Sequence, residues 1–377
     1  MKKNIYLILF FLFAQTILKA QFNVRIVVNE SATKSGDDIY IAGNFNGWNP
    51  KDILYKLKPF GGNRKGIVLK DMPSGNIAFK FTRGSFDKVE CTSDGRDIAD
   101  RVLEVNGDLN VEFNVAGWKD DYPDKPKPYT ASMQVRIIDT AFTIPQLQRK
   151  RRVWVYLPKG YGTATKTYPV IYMHDGQNLF NEQTAAYGEW GVDECLDSLQ
   201  RLTQKECIIV GVDHGADKRL TEYNPYDNDK FGKGEGKEYA SFLAKTLKPY
   251  IDSKYRTKKG RENTYVAGSS MGGLISLYTL FKYPDVFGGA GVFSPSFWIA
   301  PEIYKEAENF ASLNGPKIYF YAGGKESTEM VADVDKMVNI LQKKDRFYIR
   351  RSINNLAQHH EKAWRSEFPE LYKWLIE

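Results

Sequence analysis

One serine in this sequence stands in a setting that could activate its hydroxyl. Residues 263–284 read NTYVAGSSMGGLISLYTLFKYP, which is an extended apolar run, a G-x-S-x-G turn around Ser270 and an apolar-periodic helical run. A serine at the apex of such a strand–turn–helix bend projects its hydroxyl, and the next N–H, on Met271, points the same way. Gly268 and Gly272 are expected because a side chain at either would collide with the neighbouring strand or helix. The pattern predicts that Ser270 is a nucleophile and that Met271 supplies one oxyanion-hole N–H.

A serine nucleophile needs a base, and the base needs a carboxylate that orients it. The chain has four histidines, and the segment NNLAQHHEKAW places His359 and His360 after the last predicted strand. The segment AGGKESTEM, after the preceding strand, offers Glu326 and then Glu329. The order serine, acid, histidine is that of α/β-hydrolases, and imidazole can take and return a proton near neutral pH. The residues alone leave open which histidine and which glutamate take part.

An oxyanion hole requires a second backbone donor. The segment HDGQNLF follows an early predicted strand and is placed to supply that donor from Gln177, just after Gly176. His174, at the start of this segment, is a weaker candidate base than His359. It lies on an early strand, well before the nucleophile, and follows no acid.

The elements that must hold these residues fall into two predicted domains, since 377 residues exceed one ordinary domain. Residues 21–118 consist of short extended runs between turn residues and predict an all-β, immunoglobulin-like sandwich. Residues 119–130 carry three prolines among charges and predict a stiff linker. Residues 131–377 alternate strands with helical runs. They predict an α/β domain with a mostly parallel sheet, whose first two strands pair antiparallel at one edge.

The first 20 residues have two lysines, a short apolar run and a small residue at the end. They predict a secretory signal peptide cleaved after Ala20, and no membrane anchor after cleavage. We therefore expect a secreted or periplasmic protein. Without this segment the chain has 50 basic and 46 acidic residues, a net charge of +4 that is too mild to indicate a nucleic-acid partner.

The three cysteines, Cys91, Cys195 and Cys207, are spread over the chain. They form neither a disulfide framework nor a metal-binding pattern with clustered histidines. We expect no metal and no organic cofactor.

The segment IYIAGNFNGWNP, residues 39–50, resembles the G-x-F-N-x-W signature of glycogen-binding-type carbohydrate-binding modules. Such modules stack exposed tryptophans on sugar rings, so the resemblance makes Trp48 a candidate sugar platform. In the same sandwiches, however, this tryptophan and the phenylalanine at Phe45 commonly pack the fold.

The second domain resembles the putative esterase family over almost all of residues 131–377. The matching segments are HDGQNLF, EWGVDE, IIVGVD, YVAGSSMGG, FSPSFW, GGKES and HHEKAW. That family includes feruloyl and acetyl xylan esterases of carbohydrate esterase family one, enterobactin-type siderophore esterases, S-formylglutathione hydrolase and mycolyltransferases. The resemblance implies an α/β-hydrolase fold and ester hydrolysis by Ser270, His359 and Glu326, with the N–H groups of Gln177 and Met271 as oxyanion donors.

His359 is preferred to His360 because it keeps the family's five-residue spacing to Trp364. Many relatives have an aspartate at the position of Glu326, and a single histidine followed by Asn or Asp. The resemblance also implies a rim for the cleft. We expect the substrate to be bound by Trp298, Arg219, Glu222, Tyr223, His174 and Asp175. An aromatic wall with a few polar groups suits a phenolic or sugar-bearing ester.

These observations together predict a secreted serine esterase whose partner is an ester substrate carried on a polysaccharide or oligosaccharide. An alternative is a periplasmic esterase of a siderophore or another small ester. A third reading is a glycan-binding protein with an inert hydrolase domain.

Overall fold

The computed structural model describes residues 21–30, 36–122, 127–311, 315–344 and 347–376. The chain divides into two compact units, Met1–Tyr122 and Pro123–Glu377. The division falls within the predicted linker at 119–130. The predicted signal peptide, residues 1–20, lies outside the described residues.

The described part of the first unit is built from β-strands and short 3-10 turns. Its strands are β1 (Gln21–Glu30), β2 (Tyr40–Gly43), β3 (Lys58–Pro59), β4 (Arg64–Pro73), β5 (Gly75–Thr82), β6 (Glu90–Cys91), β7 (Arg101–Val105), β8 (Leu109–Val115) and β9 (Gly117–Trp118). They form sheets in the orders β3-β4-β1-β8, β2-β5-β7 and β6-β9. Alternate residues of β1, namely Val24, Ile26 and Val28, share one core with Phe79 and Phe81 of β5. The predicted all-β character of this region is confirmed.

The second unit contains a single eight-stranded sheet among its described residues. Its strands are β10 (Val135–Ile144), β11 (Arg149–Tyr156), β12 (Val170–His174), β13 (Ile208–Val212), β14 (Thr264–Ser269), β15 (Gly289–Phe293), β16 (Lys317–Gly323) and β17 (Tyr348–Asn354). The order is β10-β11-β13-β12-β14-β15-β16-β17. Strands β10 and β11 pair antiparallel at one edge, β11 also pairs antiparallel with β13, and the remaining pairs are parallel.

Helices cover both faces of this sheet. They are α1 (Val192–Thr203), α2 (Arg219–Glu222), α3 (Gly236–Phe242), α4 (Lys248–Lys254), α5 (Met271–Lys282), α6 (Glu302–Asn309), α7 (Thr328–Gln342) and α8 (Glu361–Ile376). Side chains of α1 and α8 pack into one apolar core, and those of α3 to α7 pack into another. Helix α5 is buried almost throughout because it lies in the middle of its layer. This is the α/β-hydrolase fold that the sequence predicted.

One predicted helix differs in detail. The apolar periodicity of residues 237–255 predicts one regular helix, whereas a π-helical segment, Leu243–Leu247, separates α3 from α4. Pro249 follows this segment in the first turn of α4. Because proline lacks an N–H and clashes with the carbonyl four residues earlier, a wider turn before it relieves the conflict. None of the helices in the described part of the chain is long and apolar enough to cross a membrane.

Candidate active site

Ser270 occupies the turn between β14 and α5 and has a left-handed backbone, with φ 58° and ψ −120°. A non-glycine residue adopts such a conformation only when its surroundings impose it. Here the Ser270 N–H donates to the Phe293 carbonyl at 2.9 Å, and the Ser270 carbonyl accepts from Leu274 N–H at 3.1 Å. The first amides of a helix lack acceptors within it, so the N–H of Met271, at the start of α5, is available to a ligand. The structure therefore places Ser270 at the bend of a strand–turn–helix unit, and its role as nucleophile remains a prediction.

The two glycines that flank Ser270 are not equally constrained. A Cβ atom at Gly268 would lie 2.8 Å from His174 Cδ2, which is closer than real Cβ atoms come. At Gly272 the nearest atom would be Asp175 Oδ2 at 3.4 Å, an ordinary contact. The predicted collision at Gly272 is therefore wrong, since the chain leaves room there for a methyl group.

An imidazole and a carboxylate meet at the sheet edge that also carries the turn around Ser270, which we call the elbow. The Nδ1 atom of His359 lies 2.7 Å from Glu326 Oε2. The other carboxylate oxygen accepts from Ser294 Oγ and from the Gly323 N–H, both at 2.6 Å. The Glu326 side chain is almost fully buried, while that of His359 is 30% exposed and stands edge-on to Trp364. A carboxylate at Nδ1 selects the tautomer that carries its proton there, which makes Nε2 the nitrogen that can accept a proton.

The structure distinguishes the two pairs of candidates that the sequence left open. Glu329 is exposed in the first turn of α7, whereas Glu326 is buried against His359. His360 accepts the Lys362 N–H at Nδ1, 3.1 Å away, and so helps to cap the start of α8. The geometry therefore couples Glu326 to His359.

Four adjacent strands bring these groups to one edge of the sheet. Ser270 follows β14, Ser294 and Ser296 follow β15, Glu326 follows β16 and His359 follows β17. The carboxyl ends of parallel strands lie side by side, and functional groups of such sheets gather there. Ser270 Oγ lies 3.1 Å from Ser296 Oγ, so the loop after β15 contacts both the serine and, through Ser294, the Glu326 carboxylate.

The segment after β12 is held in one conformation. Gly176 has no room for a side chain, since a Cβ atom there would lie 2.9 Å from Trp154 Cδ1. Gln177 Oε1 accepts the His214 N–H at 3.2 Å, and the Gln177 carbonyl accepts from Thr184 Oγ1 at 2.7 Å. These bonds use the side chain and the carbonyl of Gln177, and its N–H remains our proposed second oxyanion donor.

Asp175 and Arg219, two of the predicted rim residues, form a bidentate ion pair with N···O distances of 2.7 and 2.8 Å. Arg219 stacks over Tyr223 and its Nη2 lies 3.5 Å from the Ser269 carbonyl, next to the elbow. Burial opposes the charge on Asp175, but the guanidinium of Arg219 outweighs it and lowers the pKa of that carboxyl below its ordinary value. The pair is thus ionised and joins the segment after β12 to the loop that carries α2.

Three other predicted rim residues lie in the interior. Tyr223 is fully buried and packs on Tyr239, and Glu222 is fully buried in ion pairs that include Arg149. His174 is also buried, bonds the Tyr239 hydroxyl at 3.1 Å, and has its pKa lowered to about 4 by that burial. The prediction that these three bind substrate is therefore corrected. All three side chains pack in the interior instead of lining the cleft. In the case of Glu222, the short helix α2 directs the side chain inward.

Trp298 lies two residues beyond Ser296 and is 43% exposed, with its ring edge-on to Phe231. Of the predicted rim residues it is the most exposed.

Sequence reasoning missed Ser294 and Ser296, whose hydroxyls contact the site, and Glu361, a carboxyl buried at the start of α8. The segment FSPSFW was a signal for the serines, but nothing in its composition separates a structural serine from one that touches the site.

The first unit contains the other predicted binding residue. Trp48 is half-buried, has φ 58°, and its N–H donates to the Gly43 carbonyl at 2.9 Å. Phe45 packs against the core of that unit and stacks on Tyr55 with centroids 5.3 Å apart. The motif's phenylalanine thus builds the fold, while part of the tryptophan remains accessible.

Within the described residues no group of three or more His, Cys, Asp and Glu side chains could hold a metal ion. All three cysteines are free thiols, with Cys91 and Cys207 buried.

Comparison with known proteins gives this site a family context. The family model described as "Putative esterase" matches residues 144–375. Among curated proteins, the chain is similar to the uncharacterized protein YbbA of Bacillus subtilis, with 28% identity over 60% of this chain and 92% of that protein. It is also similar to the ferri-bacillibactin esterase BesA of Bacillus subtilis, with 26% identity over 55% of this chain and 66% of that protein.

A third relative is an endo-1,4-beta-xylanase/feruloyl esterase of Xylanibacter ruminicola, 31% identical over 153 residues. The match covers 40% of this chain and only 20% of that longer protein. Among solved structures, the enterobactin esterase FES of Shigella flexneri matches with a TM-score of 0.51 and 16% identity, over 90% of this chain and 89% of that one. At that identity the likeness shows a shared fold.

Proposed function

Because this chain belongs to the family described as "Putative esterase", we propose that it hydrolyses acyl esters carried on a polysaccharide or oligosaccharide, such as acetyl or feruloyl groups. The reaction proceeds through an acyl-enzyme on Ser270. The observation that carries this proposal is the buried Glu326 carboxylate bonded to His359 at the strand edge that also carries Ser270.

Each of these residues has a defined role in the proposed reaction. His359 takes the Ser270 proton as Oγ attacks the ester carbonyl, and returns it to the departing alcohol. The Glu326 carboxylate stabilises the imidazolium that forms. The N–H groups of Gln177 and Met271 bind the oxyanion, and a water activated by His359 then releases the acid.

Three features support a carbohydrate-linked substrate. One relative, similar over part of this chain, is named endo-1,4-beta-xylanase/feruloyl esterase. Trp298, in the loop after β15, and Trp48, in the first unit, are each partly exposed, and an exposed tryptophan can stack on a sugar or phenolic ring. We also propose that the protein is exported, with cleavage after Ala20, which N-terminal sequencing of the mature protein would test.

A second candidate is hydrolysis of a small siderophore ester. Similarity to a ferri-bacillibactin esterase favours it, together with the fold that this chain shares with an enterobactin esterase over 90% of its length. Both candidates require the same three catalytic groups, so the substrate must be determined by assay.

The test is a panel of substrates, namely acetylated xylan, methyl ferulate and a catecholate trilactone, assayed with wild type and with Ser270→Ala. We expect wild type to release acetate or ferulate and the variant to be inactive. Exclusive cleavage of the trilactone would replace the carbohydrate proposal with the siderophore one.

Binding to the polymer can be measured separately. Full-length Ser270→Ala protein would be run on xylan and starch affinity gels beside the double variant Ser270→Ala/Trp48→Ala. Retardation that is lost on removing Trp48 would support a glycan-binding first unit. Unretarded migration of both proteins would remove that support.

A further inference from the structure

Two serines of one tripeptide, Ser294-Pro295-Ser296, contact opposite ends of the proposed catalytic triad. Ser296 Oγ lies 3.1 Å from the Oγ of Ser270, and Ser294 Oγ donates to Glu326 Oε1 at 2.6 Å. The tripeptide follows β15, which lies between the strands that precede Ser270 and Glu326. One short segment therefore touches both the nucleophile and the acid.

The backbone holds Ser296 in place. Its N–H donates to the Ser270 carbonyl at 3.1 Å, its carbonyl accepts from Ile299 N–H at 3.2 Å, and the residue is only 5% exposed. The segment also lies close to helix α5, since a Cβ atom at Gly273 would lie 3.3 Å from Pro295 Cα. The backbone of Ser296 is therefore held in place, with its Oγ at hydrogen-bonding distance from Ser270 Oγ.

The direction of the hydrogen bond made by Ser294 is set by its neighbours. Ser294 is fully buried, has φ 43°, and donates its N–H to the Tyr321 carbonyl at 2.7 Å. Its Oγ accepts from Trp364 Nε1 at 2.9 Å, so its single proton points to the Glu326 carboxylate. A left-handed serine is costly, and here it aims the hydroxyl at the acid.

We propose, on the basis of the serine esterase reaction above, that Ser296 is a further catalytic residue and Ser294 a positioning residue. When Ser270 directs its proton to His359, its oxygen can accept the proton of Ser296. In the acyl-enzyme Ser270 Oγ is an ester oxygen without a proton, so Ser296 can only donate to it.

This donor acts mainly in deacylation. Water attacks the acyl carbon and gives a proton to His359, then the bond from carbon to Ser270 Oγ breaks. His359 returns the proton to that oxygen as the free acid leaves. A hydrogen bond from Ser296 stabilises the negative charge that develops on Oγ as it departs. Ser294 acts through Glu326 and His359, so it affects both acylation and deacylation.

The experiment compares two rates in each variant. The first is the rate of fluorophosphonate labelling, which reports attack by Ser270. The second is the steady-state turnover of a p-nitrophenyl ester, measured together with the pre-steady-state burst. We expect Ser296→Ala to lower kcat about tenfold to a hundredfold, to label within a few-fold of wild type, and to show a larger burst as acyl-enzyme accumulates. Ser296→Thr, which keeps a hydroxyl, should recover part of kcat. Ser294→Ala should slow labelling and turnover alike.

Ser276→Ala is the matched control, because it removes another buried hydroxyl, one that donates to the Gly272 carbonyl within α5. It should leave both rates within about twofold of wild type. Equal loss of labelling and turnover in Ser296→Ala, or no change in either, would overturn the role of Ser296. Wild-type protein that is neither labelled nor active would instead refute the proposed function.

Discussion

His359 and Glu326 are 33 residues apart in the chain, and their side chains meet at 2.7 Å across the ends of two adjacent parallel strands. The carboxylate is buried and its second oxygen is occupied by two further donors. It therefore cannot turn away from the imidazole without losing bonds that burial makes costly to lose. The pair has one orientation, which leaves Nε2 as the proton acceptor.

Replacing Glu326 with glutamine should reduce kcat about 100-fold to 10,000-fold, because an amide keeps the shape but no longer selects the productive tautomer. Glu329→Gln is the control, since that side chain is exposed on α7 and should leave kcat unchanged. Steady-state hydrolysis of a p-nitrophenyl ester measures both. Equal losses in the two variants would show that the acid has been assigned to the wrong residue.

The adjacent histidines should differ sharply. His359→Asn removes the general base and should lower kcat by about 10,000-fold. His360→Asn should remain within a few-fold of wild type, because the asparagine carbonyl can accept the Lys362 N–H that His360 now accepts. Finding His360→Asn to be the inactive variant would contradict this assignment.

The two glycines of the elbow provide a test of local packing. Gly268→Ala should lower the free energy of unfolding by about 1–3 kcal/mol and reduce activity, because the methyl group meets His174 at 2.8 Å. Gly272→Ala should change that free energy by less than about 1 kcal/mol, since its contact is ordinary and alanine favours a helix. Urea denaturation measures both values, and a reversed order would show that the elbow differs from the one described.

Glu361 should make stability depend on pH. Burial raises the pKa of this carboxyl to about 7, so the folded protein keeps a proton that the unfolded chain releases near its ordinary value of about 4.3. The folded state then binds more protons than the unfolded chain between these two pH values. The contribution of Glu361 to the free energy of unfolding therefore falls as pH rises, by about 4 kcal/mol in all. Relative to wild type, Glu361→Gln should therefore gain stability from pH 5 to pH 8.

Burial also raises the pKa of Asp193, so the quantity to compare is the difference between variant and wild type in urea denaturation at the two pH values. Glu302→Gln, an exposed glutamate at the start of α6, is the matched control and should show no such pH-dependent difference. A Glu361→Gln difference that is the same at pH 5 and pH 8 would mean that the carboxyl is ionised throughout.

The features that the sequence predicted correctly are those of the fold that local pattern encodes. The turn around Ser270 has a short signature, and alternation of strands and helices was enough to predict the sheet and the antiparallel pairing at its edge. The choice between Glu326 and Glu329 was different, since burial against His359 arises only when two distant loops meet. For the same reason, sequence position placed Glu222 and Tyr223 at the rim, whereas one helical turn directs them into the core. Ser294 and Ser296 went unnoticed because serine is common in turns for reasons unrelated to chemistry.

The most direct test of the central claim is to locate the residue that a fluorophosphonate modifies, by peptide mass spectrometry of the labelled full-length protein. We predict one modification, on Ser270, which is absent in Ser270→Ala and much slower in His359→Asn. Labelling that persists in Ser270→Ala, or a wild-type protein that is not labelled at all, would contradict the claim that Ser270 is an activated nucleophile.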